Sequence, residues 1–297
     1  MSAWKPELVV DEALARRLLA QFAELEPRSL RLIGEGWDNT VWLLDGNWVF
    51  RFPRREVVLP GIENEISLLP RLAPQLPLPI PVPRFVGRPN EEFPWPFFGS
   101  AFLPGREPGD AGLDDEGRVQ VARDLMAFLH VLHATELDAE LPVDPTGRAD
   151  MEKRIGLARV DLAALGRLDE QVESLFAEAE ALPPPGGPLV LAHGDLHFRH
   201  VLVEGGRGSG VIDWIDLCRA DRCIDLSLLW SLVPPGRRSE VLAEYGELDE
   251  EQLLRARVLA IQLCAVLARY GADEGNAAVE REALEGLARA LDGETLI

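Results

Sequence analysis

Residues 193–203 read "HGDLHFRHVLV" and residues 210–214 read "GVIDW". Short apolar runs flank both stretches: "LVLA" (189–192) before the first, "VLV" (201–203) at its end, and "GVI" (210–212) leading into the second. Runs this short, bounded by glycine, read as strands, and "EGGRGSG" (204–210) reads as the turn between two of them. Strands folded back over that turn bring Asp195 and Asp213 to one edge. Two carboxylates at one edge suit phosphoryl transfer, in which one orients a hydroxyl and takes its proton while the other holds a metal ion against phosphates. The histidines of the same stretch keep a second reading open. Alternate residues of a strand share a face, so His193, Asp195 and His197, with His200, could instead ligate the metal of a hydrolase.

Upstream, residues 11–26 have the apolar spacing of an amphipathic helix. Residues 29–54 alternate and are rich in Val, Trp and Phe, with a turn at Asp45-Gly46. They read as a glycine loop between two strands, then a hairpin into a third. Residues 61–72 read as a short helix that Pro70 weakens near its end. The alternating prolines of "LPLPIPVPRFVG" (76–87) read as an extended connector entering a strand, and a further strand lies within 95–109. Downstream the pattern turns helical: 118–134, one helix over 150–181, and most of the chain from Asp225 onward, broken at "VPPGRR" (233–238). The expected architecture is α+β, with a small β-rich lobe over 1–103 and a larger, mainly helical lobe over 104–297 that carries the β insert. Ligands commonly sit between such lobes.

Thirty basic and 50 acidic side chains give a net charge of −20. That sign repels nucleic acid and anionic lipid and attracts cations, so no nucleic-acid or membrane partner is expected. The charge serves solubility; it also fits an amine-bearing ligand. Only Lys5 and Lys153 are lysines. Cys218, Cys223 and Cys264 form a sparse, odd set without zinc spacing. No basic-then-apolar leader is present at the start, and the apolar run "VLAIQLCAVLA" (258–268) is too short to span a bilayer. The expected location is the cytoplasm.

The motifs carry a resemblance. "HGDLHFRHVLV…GVIDW" resembles the catalytic block of the aminoglycoside phosphotransferase and choline kinase family, "IGEGWDNTVWLL" (33–44) its glycine-rich loop, and "VFRFPR" (49–54) its third strand. The match runs from about residue 28 to 230. It implies a protein-kinase-like bilobal fold and a small-molecule kinase using ATP or GTP with Mg²⁺. Asp195 would be the catalytic aspartate and Asp213 the magnesium aspartate. Gly34 and Gly36 would shape the phosphate loop, with Asp38 and Asn39 near its tip. Glu65 would pair with the phosphate-binding basic residue, and Phe98 to Phe102 would form the hinge beside the base. Asp225 would brace the catalytic loop. Two positions depart from the family pattern. The usual strand lysine is Arg51, whose fork can still serve phosphate and Glu65. The usual asparagine metal ligand is His200, as in macrolide and some 2″-aminoglycoside phosphotransferases. Imidazole is a softer ligand than Mg²⁺ prefers, so His200 could also act through water or a phosphate.

The remaining polar residues divide between structural and ligand roles. His193 is expected to fix the loop, and His197 to fix it or point at the acceptor. His130 and His133 lie one turn apart on a helix, a spacing that can bind metal but more commonly marks satisfied histidines. Asp216, Asp221 and the late stretch "GADEGNAAVEREALEGL" (271–287) could line an amine pocket or form a solvated face. Most of the tryptophans suit core packing, while Trp37 sits inside the glycine loop. The resulting expectation is a kinase for a cationic acceptor of aminoglycoside or macrolide type, with antibiotic resistance as its consequence. The alternatives are a metabolite kinase for a choline, homoserine or sugar-type acceptor, a nucleotide-binding protein with impaired catalysis, and the metallohydrolase.

Overall fold

The "VWLLDGNWVFRF" alternation (41–52) builds a hairpin, as its turn residues require. In the computed structural model, which describes residues 5–292, Asp45 and Gly46 both take positive φ, 50° and 71°. That is the geometry of a tight hairpin whose twist matches the strands. The Asp45 carboxylate also accepts from the Ser29 backbone N–H at 2.6 Å, tying the turn to the start of the first strand.

The described chain divides into two compact units, one over residues 5–75 and 79–103, the other over Leu76–Leu78 and residues 104–292. The first unit contains α1 (Glu12–Leu19), β1 (Leu30–Glu35), β2 (Asn39–Leu44), β3 (Trp48–Pro53), α2 (Leu59–Leu72), β4 (Pro83–Gly87) and β5 (Phe97–Ala101). Its five strands form one antiparallel sheet in the order β1-β2-β3-β5-β4. Phe50, Phe52, Phe85, Phe93 and Phe97 fill the core with Leu18 and Leu19 of α1. The Phe52 and Phe97 rings stack with centroids 4.7 Å apart. α1 is shorter than the helix read over 11–26: after Leu19 the chain leaves in single turns, and Pro27 disfavours helical geometry at Glu26. α2 tolerates Pro70 because only one backbone bond of its last turn is lost.

The second unit opens with α3 (Asp115–Ala134), α4 (Met151–Ala164) and α5 (Glu170–Glu180), capped at their N-termini by the carboxylates of Asp114, Asp150 and Asp169. The single helix expected over 150–181 is therefore two. The chain turns through Gly166 at φ +64, and Asp169 starts a new cap. The β insert follows: β6 (Val190–Ala192), β7 (Val201–Glu204), β8 (Arg207–Val211) and β9 (Cys218–Ala220). β6 pairs with β9, and β7 with β8. α6 (Ser227–Ser231), α7 (Arg238–Leu242), α8 (Glu250–Asp273) and α9 (Ala277–Leu291) complete the unit. Inside it, Arg118 of α3 makes a buried two-pronged pair with Glu282 of α9, at 2.5 and 2.7 Å. Among the described residues no helix is long and apolar enough to cross a membrane.

Candidate active site

Register explains how the two aspartates of the second unit come together. Val201 of β7 lies opposite Val211 of β8, and the ladder extends one step further, with Ile212 N–H donating to the His200 carbonyl at 2.9 Å. Asp213 is the next residue, so pairing alone carries it to His200. The His200 ring spans the gap to Asp195. Its Nδ1 lies 2.7 Å from the Asp195 backbone carbonyl, and its Nε2 lies 3.4 Å from Asp213 Oδ2. Asp213 adopts φ +65, a conformation sparsely used by residues with a side chain and frequent at functional sites. Trp214 behind it is fully buried, and its Nε1 donates to the Val211 carbonyl at 3.0 Å.

The loop carrying Asp195 is fixed from below by Asp225, whose carboxylate accepts the backbone N–H of His193 at 2.7 Å and of Gly194 at 3.0 Å. Burial opposes charge on Asp225, but the hydrogen bond from His133 and those backbone donors hold its carboxyl below the usual range. His133 Nε2 lies 3.1 Å from Asp225, and its Nδ1 lies 2.7 Å from the Tyr245 hydroxyl. Since a carboxylate only accepts, Nε2 carries the proton and Nδ1 takes the tyrosine O–H. His130 Nδ1 lies 2.8 Å from the Tyr245 carbonyl, so each histidine of this helical pair has its own hydrogen-bond partner. Gly194 sits at φ +88, where an added Cβ would strike the Asp216 carbonyl oxygen. Only glycine fits there.

His193 is buried, its Nε2 donating to the Ile212 carbonyl at 3.0 Å and its Nδ1 accepting from Asp195 N–H at 3.3 Å. Burial lowers its tendency to charge. His197 Nδ1 accepts from Arg199 N–H at 3.3 Å, which leaves its proton on Nε2, 3.8 Å from Asp195 Oδ2. Asp195, His197 and His200 do gather their ligand atoms within 4.8 Å. Yet His193 has both nitrogens committed to the backbone, and His197 Nε2 and His200 Nδ1 present N–H groups towards Asp195 rather than lone pairs. The four-ligand metallohydrolase arrangement is not formed. His200 Nε2 is different: in the neutral ring it is a lone pair facing an anionic oxygen of Asp213. Two electron-pair donors 3.4 Å apart are close to the spacing of neighbouring ligands around a divalent cation, roughly 3 Å for bonds of about 2.1 Å. These two groups therefore fit a divalent metal ion.

One further residue belongs here that sequence reading missed. Arg148 Nη2 lies 2.5 Å from Asp195 Oδ1 and 3.2 Å from Asp216 Oδ2. Burial works against the Asp195 charge, but Arg148, with His197 and His200, outweighs it and holds the carboxyl well below the usual carboxylate range. Asp216 is thus partnered by an internal cation. Asp221 is buried and caps the turn at Cys223 N–H, 2.9 Å, and Glu282 of the late acidic stretch is taken by Arg118. The open amine pocket considered from these acids does not form from Asp221 and Glu282. The three cysteines are buried thiols, with burial pushing Cys218 and Cys264 up to about 12.

The first unit contains a second cluster. Arg51 of β3 and Glu65 of α2 meet at 2.5 Å, both buried, with the guanidinium 5.7 Å from the centre of the Phe98 ring. The loop between β1 and β2 closes with Gly36 N–H on the Asn39 carbonyl at 3.0 Å. Arg54 donates to the Gly36 carbonyl at 2.9 Å, and Arg55 pairs with Asp38. Neither Gly34 nor Gly36 needs positive φ, and a Cβ on either would find no atom nearer than 3.8 Å. Among the described residues, no neighbouring atom requires glycine at either position. Asn39 and Phe98 are buried, whereas Trp37 and Phe102 are 45% and 42% exposed.

A family model described as the phosphotransferase enzyme family matches residues 29–260. Among solved structures, the GDP and kanamycin complex of APH(2″)-IIIa is 23% identical, covering 94% of this chain and 98% of its own, with a TM-score of 0.70. The GDP complex of wild-type aminoglycoside 2′-phosphotransferase-IIIa is 24% identical over 94% and 97%, TM-score 0.68. The apoenzyme of macrolide 2′-phosphotransferase MphH from Brachybacterium faecium is 26% identical over 96% and 100%, TM-score 0.62. These likenesses show an α+β fold of the protein-kinase-like type.

Proposed function

This chain belongs to the phosphotransferase enzyme family, whose acceptors are alcohol groups, and we propose that it moves the γ-phosphate of ATP or GTP onto a hydroxyl of a small, cationic molecule. Residues 1–103 serve as the nucleotide-binding lobe and 104–297 as the catalytic and acceptor-binding lobe. Asp195 orients the acceptor hydroxyl and takes its proton as oxygen bonds to phosphorus, while the bond to the departing nucleoside diphosphate breaks. Arg148 keeps this carboxylate ionised, and in a loose transition state, where the hydroxyl proton moves late, its first task is to orient the hydroxyl. Asp213 and His200 Nε2 would hold a divalent ion, Mg²⁺. When bound, that ion offsets the negative charge of the phosphates.

In the first unit, Arg51, braced by Glu65, contacts the nucleotide phosphates, and backbone N–H groups around Gly34 and Gly36 cover them. Asp38 holds the loop tip through Arg55, because a carboxylate would itself repel phosphate. Asn39, being buried, supports the loop from β2. The strand from Phe98 to Phe102 lies beside the base. An aminoglycoside- or macrolide-like acceptor is supported by the net charge of −20 and by solved relatives described as phosphotransferases of those two antibiotic classes. Choline, homoserine or sugar-type acceptors are the second reading, since the acidic field favours any amine.

The observation that carries the proposal is the His200 ring, tied at Nδ1 to the backbone of the base and at Nε2 facing Asp213. A binding protein without catalysis would need neither the base nor this bridge. The test separates the two aspartates. Asp195→Ala should remove nearly all transfer while fluorescent-nucleotide binding persists; Asp213→Ala should weaken metal-dependent nucleotide binding as well. An Asp195→Ala protein with the wild-type rate overturns the assignment.

A further inference from the structure

Residues 143–150, "VDPTGRAD", precede α4 and form a loop built to hold one side chain. Asp144, at φ +34, accepts the backbone N–H of Arg148 at 2.7 Å and of Ala149 at 2.9 Å. From α4, Arg154 holds the carbonyls of Gly147 at 3.0 Å and Thr146 at 2.7 Å, and Lys153 Nζ also reaches the Thr146 carbonyl at 2.7 Å. The Thr146 hydroxyl accepts from Arg148 Nη1 at 2.5 Å. Main chain and guanidinium are thus both fixed, and the remaining edge of the fork meets Asp195 Oδ1 at 2.5 Å and Asp216 Oδ2 at 3.2 Å. The Asp216 residue is itself anchored, since its carbonyl is packed against Gly194. Lys153, one of the two lysines, and Arg154 are spent in an acidic protein to present one guanidinium to the base.

We propose that Arg148 is a positioning residue for phosphoryl transfer: it pins Oδ1 of Asp195 so that Oδ2 is the oxygen offered to the acceptor hydroxyl. This rests on the kinase reading above. A carboxylate free to rotate presents either oxygen in many directions, and a charge-assisted bond from a fixed guanidinium removes that freedom. The geometry leaves Oδ2 room. The nearest ring nitrogens, His197 Nε2 and His200 Nδ1, lie 3.8 and 4.0 Å from it, beyond hydrogen-bond distance, so a hydroxyl can approach. Arg148 also neutralises Asp216, which would otherwise compete for the hydroxyl proton or the metal ion.

The test measures phosphate release from magnesium-ATP and magnesium-GTP, with water as the acceptor hydroxyl, in the full chain. Arg148→Ala should lower kcat about a hundredfold, the scale expected for a misplaced reacting group, with nucleotide KM unchanged. Arg148→Lys should recover part of that loss, keeping the charge without the fork. Added methylguanidinium should raise the rate of Arg148→Ala but not of the Arg148→Ala, Asp195→Ala double variant. In the Asp195→Ala background, losing Arg148 should cost nothing more, because its effect passes through that carboxylate. If Arg148→Ala melts well below the wild type, Arg148→Gln carries the same comparisons. A wild-type kcat without Arg148 overturns the proposal. So does a double variant slower than Asp195→Ala by the same factor that Arg148→Ala slows the wild type. If Asp195→Ala loses its phosphate release while Arg148→Ala keeps the wild-type kcat, this proposal alone falls. If the wild type shows no phosphate release that depends on Asp195, the kinase reading falls and takes it along.

Discussion

Replacing Asp225 with asparagine isolates the support under the catalytic loop. The carboxylate accepts three hydrogen bonds, from His193 N–H and His133 Nε2 on Oδ2 and from Gly194 N–H on Oδ1. An amide keeps one acceptor oxygen. In its better orientation that oxygen retains the two bonds at the Oδ2 position, and the amide nitrogen then faces the Gly194 N–H, donor against donor. One bond to a charged acceptor is lost, about 1.5–3 kcal/mol, and a buried N–H is left unpaired, about 1–3 kcal/mol. A net loss of about 3 kcal/mol is a large part of the ~5–15 kcal/mol that holds a typical protein folded. At about 2–4 °C per kcal/mol for a unit of this size, the melting midpoint should fall by roughly 6–12 °C. The displaced loop should also lower kcat, since it carries Asp195 one residue beyond Gly194.

The change has a pH signature. The folded carboxyl is held below its ordinary value, so on acidification the unfolded chain takes up that proton first. The stabilisation is present above the ordinary carboxylate pKa of about 4 and is lost as pH falls further. Wild type should lose stability over that acid range, and Asp225→Asn should lack this component. Circular dichroism melts from pH 7 down to pH 3 read both effects. A variant melting with the wild type at pH 7 and showing the same acid dependence would refute the reasoning.

Three further outcomes follow from the same geometry. Gly36→Ala has room for its Cβ, so the melting point should hold while nucleotide KM rises about tenfold, about 1.4 kcal/mol of binding; fluorescence titration and a melt read the two separately. His200→Asn supplies an oxygen in place of Nε2 and should retain part of the magnesium-supported turnover, whereas His200→Leu should weaken metal-nucleotide binding about ten- to a hundredfold in calorimetry. Glu282→Ala leaves the buried Arg118 with its longer pair to Glu285 at 3.5 Å and should cost about 3 kcal/mol in urea denaturation without altering nucleotide KM.

What the sequence made legible was whatever its local patterns encode. The apolar runs around Asp195 and Asp213 announced short strands, and the glycine turn between them led to the pairing that sets Asp213 beside His200. The Asp45-Gly46 hairpin was readable for the same reason. Arg148 was not, because its partners Asp195 and Asp216 lie 47 and 68 residues away and its loop carries only ordinary turn residues. The split within 150–181 was written in Gly166 and Asp169, but helical periodicity on both sides masked it. Acidic residues misled most. Composition counts charge without locating it, and Glu282, Asp221 and Asp216 each turned out to be held by a partner within the fold. Tyr245 lies 112 residues from His133, so nothing local marked it as support for the Asp225 network.

The most direct measurement is phosphorus NMR of the purified protein with magnesium and ATP or GTP, across a panel of aminoglycosides, macrolides and amino-alcohol metabolites. The account predicts, with at least one acceptor, a new phosphate monoester signal growing as nucleoside diphosphate forms, and its disappearance in Asp195→Ala. A panel that yields no phosphorylated acceptor with either nucleotide, or a product signal that persists without Asp195, would contradict it.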